Sequence, residues 1–461
     1  MGYFRPLTLA SFQVELIAWG PSPLLFHLTN LLLISGAAFL VVILIRRYTG
    51  DAVLAGAAGL LFALHPWHVE NAAWIAARTD PLFSLLLLGA LLTYERWRGR
   101  FRGLPITCLV LFEASLLAKE TAIVLPVFLL ALGFIDRSRR PGAAEWTRGY
   151  LPIAAVAMAH FLVLRPMAIG ETGLRALSGF GLYWVKKLIG FTVAAILPLH
   201  VEILERRPLL WGLLGAAIGG ALLLAGYNRA RRIPPSALAA AMMFPILLGP
   251  SLISFQERFL FLPSAASALV LASLLRACGP RVRTIGILLL VSVWLFSLGN
   301  HWMGWREAGV VSVRFVKDLT RASDRPEAQE IVVANMPHRV RGAPVAGNFA
   351  AALQLSGGRP MQVIPATYVD YPSASSDSLA GRPERAAGAS LPYAEVRLHI
   401  PDARYSRLVS PVQPGQGDAV ETPFAEIFFE NGTDLRVRIP TARDRGRVAY
   451  VWFEGRLQPL F

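Results

Sequence analysis

An α-helical polytopic membrane protein with a small β-rich soluble domain at its C-terminal end is the fold class that this sequence predicts, and three observations predict it. Of its 461 residues, 54% are apolar and 16% charged, against about 25% charged in water-soluble domains. Apolar runs that singly or in pairs can cross a hydrocarbon core of roughly 30 Å recur from Leu24 to Leu298. Beyond Arg306 the pattern changes to short alternating runs, such as AEVRLHI, AEIFFE and RVAYVWFEG, separated by Gly, Pro, Ser, Asn and Asp. Three parts follow: residues 1–23 as an outer-face amphipathic segment, 24–305 as a multi-span membrane domain, and 306–461 as an extracytoplasmic β-rich domain. About 10 or 11 membrane helices are expected in all.

The first segment, GYFRPLTLASFQVELIAWG, mixes apolar and polar residues and suits a helix lying along a membrane surface. A full span is expected from Leu24 to Ile45, stopped by Arg46 and Arg47. Val53 to Leu64 is too short alone, so its helix must continue into HPWHVENAAW, which places those polar residues at the far interface. Leu82 to Thr93 returns and ends in the arginine-rich ERWRGRFR. Leu104–Ala118 and Ala122–Ile135 are joined by Lys119 and Glu120 alone, and Leu151–Leu164 forms the next apolar run. Leu182–Leu199 carries Lys186 and Lys187 and is expected to be re-entrant or interfacial. Leu209–Ala225, Leu238–Ile253, Phe259–Leu275 and Ile285–Leu298 complete the set.

This layout puts more Lys and Arg in the inner loops than in the outer ones, so the positive-inside rule turns the HPWHVE, KE and QER junctions outward. The formal charge of +15 is split into short clusters between apolar runs rather than gathered on one face, which argues against a nucleic-acid partner. The two cysteines, Cys108 and Cys278, sit near basic runs on the cytoplasmic side and suggest neither a disulfide framework nor a metal site. The tripeptide Asn431-Gly432-Thr433 matches a glycosylation acceptor and reads equally as a turn between strands.

Chemistry concentrates in His65–Asp80 and its neighbours on the same face. Arg5, His65, His68, Glu70, Arg78, Asp80, Lys119, Glu120, Glu257 and Arg258 gather at one membrane interface, where ionisable groups persist mainly when they pair or line a wet cavity. Cations beside carboxylates suit an anionic lipid headgroup: Arg and Lys neutralise phosphate, and a carboxylate or histidine handles a proton. His65, His68 and Glu70 could hold a metal on a helix, but Pro66 and the spacing of the glutamate spoil that geometry, so no metal or other cofactor is expected. Glu70 and Asp80 are best explained as partners of His68 and Arg78, and the plain reading of Lys119-Glu120 is a mutual ion pair at a tight turn.

Five motifs in order resemble the membrane core of the tetratricopeptide-type protein O-mannosyltransferases and their bacterial relatives in the GT-C glycosyltransferase superfamily. They are RPLT at 5–8, FHLTNLLL at 26–33, LFALHPWHVENAAWIAARTD at 61–80, LLAKETAIVLPVFLL at 116–130 and ERFLFLPS at 257–264. The resemblance implies a glycosyltransferase that takes a sugar from a polyprenyl-phosphate carrier at the outer face, with a protein or glycan acceptor. By the same resemblance, Arg78, Lys119 and Arg258 meet the donor phosphate, with Arg5, Glu120 and Glu257 beside them, and His65, His68, Glu70 and Asp80 shape the sugar site. In that family the base sits in an outer loop upstream of the RPLT motif, where only Met1 to Phe4 stand here. A translation start placed too late is the expectation, which leaves Asp80 and Glu70 as catalytic candidates. The alternative is a non-catalytic relative, or a transporter or assembly protein that recognises lipid-linked glycan. A bacterial inner membrane, with the C-terminal domain outside the cytoplasm, is the expected location.

Overall fold

The computed structural model describes residues 4–98, 103–135, 141–169, 182–198, isolated positions between 209 and 248, 256–277, 280–325 and, with short gaps, most of 329–371 and the strands within 384–460. The expected spans Leu209–Ala225 and Leu238–Ile253 therefore fall largely outside the described residues, as does Cys278. The chain divides into two compact units, Met1–Gly299 and Asn300–Phe461.

In the first unit α1 (Pro6–Trp19) is followed by α2 (Pro23–Thr49), whose 27 residues rise about 40 Å and outspan a hydrocarbon core. Gly50 in the left-handed conformation ends α2, and the Asp51 carboxylate caps α3 (Ala52–Ala63) by accepting from the Val53 and Leu54 amides at 2.9 and 3.0 Å. The chain then breaks at Pro66 into a single 3-10 turn and the short α4 (Val69–Ala73), bent by 50° from α3. Another 3-10 turn, Ile75–Arg78, leads into α5 (Thr79–Arg98). Next come α6 (Ile106–Ala118), α7 (Val124–Ile135), α8 (Ala143–Met167, with two π-helical stretches), α9 (Leu182–Ala194), α10 (Phe261–Ala277) and α11 (Pro280–Ser323). Among the described residues five helices are long and apolar enough to cross a membrane, and six if the bent pair counts as one. The protein is a helical, multi-pass integral membrane protein.

Helices α2 and α3 pack closely because Ala55, Ala58 and Gly59 present almost no side chain, and a Cβ added at Gly59 would stand 2.2 Å from Cγ2 of Val42. At one end of this unit, polar groups tie the helices together. Arg47 donates to the Glu95 carbonyl (2.7 Å), Tyr94 and Arg98 each donate to Glu145 (2.8 Å), and Arg276 pairs with Asp51. At the other end lie the His65–Asp80 segment, Lys119-Glu120 and the 3-10 turn Glu257–Leu260.

In the second unit, α11 continues past Arg306 as a helix where the sequence changes character, because its buried face runs on through Ala308, Val311, Phe315, Leu319 and Ala322. These residues cover one face of a sheet of order β13-β12-β1-β4, in which β1 (Glu330–Ala334) pairs in parallel with β4 (Gln362–Pro365) and β12 (Arg447–Phe453), and β13 (Arg456–Pro459) is antiparallel to β12. Alternation along β1 sends Ile331 and Val333 toward α11, and Val332 and Ala334 toward Ile427 and Val437 of a five-stranded antiparallel sheet. In that second sheet β10 (Glu426–Asn431) pairs with β11 (Asp434–Pro440), with Asn431 opposite Asp434, while Gly432 and Thr433 of the NGT tripeptide lie outside the described residues. A third small sheet has order β3 (Ala343–Pro344), β2 (Met336–Val340), β5 (Thr367–Tyr371), β8 (Ser406–Leu408).

Candidate functional site

The polar end of the first unit is held by three ion pairs between segments far apart in sequence. Lys119 Nζ lies 2.5 Å from Asp80 Oδ1, both side chains 5% exposed. Arg5 donates twice to Glu120, from Nη2 to Oε1 at 2.7 Å and from Nε to Oε2 at 3.1 Å, a forked pairing that only a guanidinium offers. The Arg258 amide donates to Glu70 Oε2 at 2.9 Å, while its guanidinium stands 3.7 Å from Oε1 of the same carboxylate and lies over the Trp74 ring at 4.3 Å. Phe259 sits beneath both cations, 4.8 Å from Lys119 Nζ and 5.2 Å from the Arg258 guanidinium. Burial pulls the Lys119 ammonium below its ordinary pKa although the Asp80 carboxylate opposes it. Burial alone would raise Glu120, but the Arg5 guanidinium outweighs it and holds the carboxyl below its usual range.

Arg78 is fully buried and bonds to α1 and α2 rather than to any member of the three ion pairs. It donates to Glu15 Oε2 (2.8 Å), Asn30 Oδ1 (2.8 Å) and the Phe26 carbonyl (3.1 Å), and stacks on Phe12 at 4.3 Å. Among the described residues its Nη1 has no hydrogen-bond partner. His68 is buried between Phe62 and Phe261. Because Ser264 Oγ donates to the Phe261 carbonyl (2.6 Å), His68 must donate from Nε2 to that oxygen (2.9 Å), which leaves Nδ1 an acceptor without a partner among the described residues. His65 accepts from the Trp67 amide at Nδ1 (3.3 Å) and packs edge-on to Trp294.

Several expected pairings differ. Asp80 bonds to Lys119, not Arg78, and Glu70 to Arg258, not His68. Lys119 and Glu120 do not pair with each other: Lys119 has extended backbone (φ −160°, ψ 132°), which sends neighbouring side chains to opposite sides, one to Asp80 and the other to Arg5. Glu257 belongs to the 3-10 turn beside Arg258. Glu15, Asn30, Thr8 and Ser264 were missed. Glu15 had a signal, since it is the one carboxylate in α1 and a buried acid there needs a cation. Thr8 donates to the Ala118 carbonyl at 3.1 Å and joins Arg5 in tying α1 to the Lys119 junction.

The chain is similar to protein O-mannosyl-transferases. Over 136 residues it is 38% identical to the protein O-mannosyl-transferase Tmtc1 of Drosophila melanogaster, a segment covering 29% of this chain and 16% of that protein. To Tmtc2 of the same organism it is 40% identical over 131 residues, 26% of this chain and 14% of the relative, and to human TMTC1 37% identical over 99 residues, 20% and 11%. The similarity to these O-mannosyl-transferases thus spans between 11% and 16% of their lengths. No protein-family model and no solved structure matches the chain.

Proposed function

We propose that this protein is a membrane glycosyltransferase that moves a hexose from a polyprenyl-phosphate carrier to a hydroxyl of a protein at the outer membrane face. The observation that carries the reading is the convergence, at one end of an apolar bundle, of Lys119–Asp80, Arg258–Glu70 and Arg5–Glu120. The similarity to protein O-mannosyl-transferases supplies the reaction class.

In this reading the donor phosphate displaces a carboxylate from Lys119 and from Arg258, forming charge-assisted bonds of its own. Asp80 is thereby released to take the proton of the acceptor hydroxyl. The hydroxyl oxygen forms the new bond to the anomeric carbon, the bond from that carbon to the carrier phosphate oxygen breaks, and the phosphate leaves with the electron pair. Glu70, His65 and His68 line the sugar side, Glu257 and Glu120 orient the cations, and Arg78 holds the floor in place. The location that goes with it is a plasma membrane, with the His65–Asp80 junction and the C-terminal domain outside.

The full chain in proteoliposomes, given radiolabelled polyprenyl-phosphate mannose and a Ser/Thr peptide, should transfer label. Asp80→Asn should lower turnover about 10² to 10⁴-fold with donor affinity kept, and Arg258→Gln should weaken donor affinity. Transfer at the wild-type rate by Asp80→Asn would refute the role of that carboxylate. A second reading is favoured by the fact that Glu70, Asp80 and Glu120 each already face a cation: recognition of lipid-linked glycan without reaction. Saturable donor binding with no transfer to any hydroxyl acceptor is its signature.

A further inference from the structure

We propose that the second unit carries an anion site of its own, a cleft for a phosphate-bearing ligand built from α11 and from Gly455 and Arg456 at the start of β13 (Arg456–Pro459). The cleft, of about 460 Å³, is lined by Arg314, Lys317, Asp318, Arg321, Gly455 and Arg456. Such a volume is in the range of small-molecule sites, yet those are mostly apolar, and the described residues that wall this one are four cations, a single carboxylate and a glycine.

Two elements make it. On α11 the spacing of 314, 317, 318 and 321 sets the polar residues on one stripe while Phe315, Leu319 and Ala322 are buried in the core of the unit. Asp318 fastens the other wall: its Oδ2 accepts from the Leu457 amide at 3.0 Å and its Oδ1 from Arg321 Nη1 at 3.3 Å. That bond draws the start of β13 to the helix and brings Arg456 alongside. Gly455, buried and at φ +66°, makes the turn that allows the approach. The carboxylate thus neutralises part of the charge and spends its oxygens on positioning.

Among the described residues that line the cleft, the remaining charge has no counterpart. Lys317 and Arg321 are like charges four residues apart, an arrangement that destabilises a helix, and a bound anion would relieve it. The Arg321 side chain is 72% exposed and so reachable from solution. Three guanidiniums and an ammonium around one opening suit a phosphoryl group, whose oxygens accept forked N–H pairs. The phosphate could belong to a free phosphorylated compound or to a lipid headgroup. The proposal is independent of sugar transfer at the first unit.

The test uses the full chain in phosphatidylcholine nanodiscs, with inorganic pyrophosphate as the probe and isothermal titration as the readout. Saturable binding is expected, weakened about tenfold in Arg321→Gln and in Arg456→Gln, the scale of one charge-assisted hydrogen bond, and weakened also by salt. Arg283→Gln, an equal loss of charge elsewhere on α11, should bind as wild type does. Discs in which phosphatidylglycerol replaces part of the phosphatidylcholine distinguish the sources: loss of pyrophosphate affinity there assigns the site to a headgroup, and unchanged affinity assigns it to a free ligand. Absence of saturable binding in the wild type, or equal weakening by Arg283→Gln, would overturn the proposal.

Discussion

Arg78 changes what a charge deletion should do. From sequence it stands as a phosphate ligand whose removal spares the fold, yet its side chain is completely buried against Glu15, Asn30 and the Phe26 carbonyl. Arg78→Ala would leave Glu15 buried without its cation, a loss of about 3 to 5 kcal/mol, and thermal unfolding in detergent should register it as a large drop in midpoint. Replacing both partners, Arg78→Met with Glu15→Leu, should recover most of that loss. Recovery would be absent if Arg78 acted mainly through a ligand. Glu120 gives a pH signature outside the spans. Its folded pKa lies below the ordinary value of 4.5, so the stability it contributes is present above the unfolded pKa and is lost as pH falls through the folded one. Acidification through that window should lower the melting temperature of wild type more steeply than that of Glu120→Gln.

At the scale of elements, hydropathy made α2, α5 and α6 legible, because each is written in neighbouring residues, whereas the helix expected to continue from Val53–Leu64 into HPWHVENAAW instead breaks at Pro66 with a 50° bend. Nor was the pairing of charges legible. Partners lie 115 residues apart for Arg5 and Glu120, 39 for Lys119 and Asp80, and 188 for the Arg258 amide and Glu70, and the adjacent opposite charges at 119–120 mislead because an extended backbone turns them apart. The run of α11 to Ser323 was also hidden, since a change from lipid-facing to sheet-facing packing alters composition without ending the helix. Packing of α2 on α3 yields a sharp contrast. A larger residue at Gly59 meets Val42 whereas Gly56 has open space around it, so Gly59→Leu should destabilise by at least about 1 to 3 kcal/mol and Gly56→Leu should be tolerated. Denaturant midpoints of the two variants decide it.

For the whole molecule, the two polar ends of the first unit should face opposite sides of the membrane. With Cys108 and Cys278 replaced by alanine, cysteines introduced at the exposed Ala76 and Gly103 should react with an impermeant maleimide differently: Ala76→Cys in intact cells, Gly103→Cys only after permeabilisation. The opposite pattern would invert the topology that the arginine clusters imply.

The contacts of α1 also set a schedule for synthesis. Its Arg5 and Thr8 wait for Glu120 and Ala118, and Glu15 waits for Arg78. At ribosomal speeds the 115 residues between Arg5 and Glu120 take on the order of ten seconds to emerge. Glu15 waits a shorter time, because Arg78 is 63 residues away, and until then its carboxylate has to stay hydrated at the membrane surface; Arg5 waits for the whole interval. Helix α1, translated before α2 to α6, is thus among the last of this group to dock.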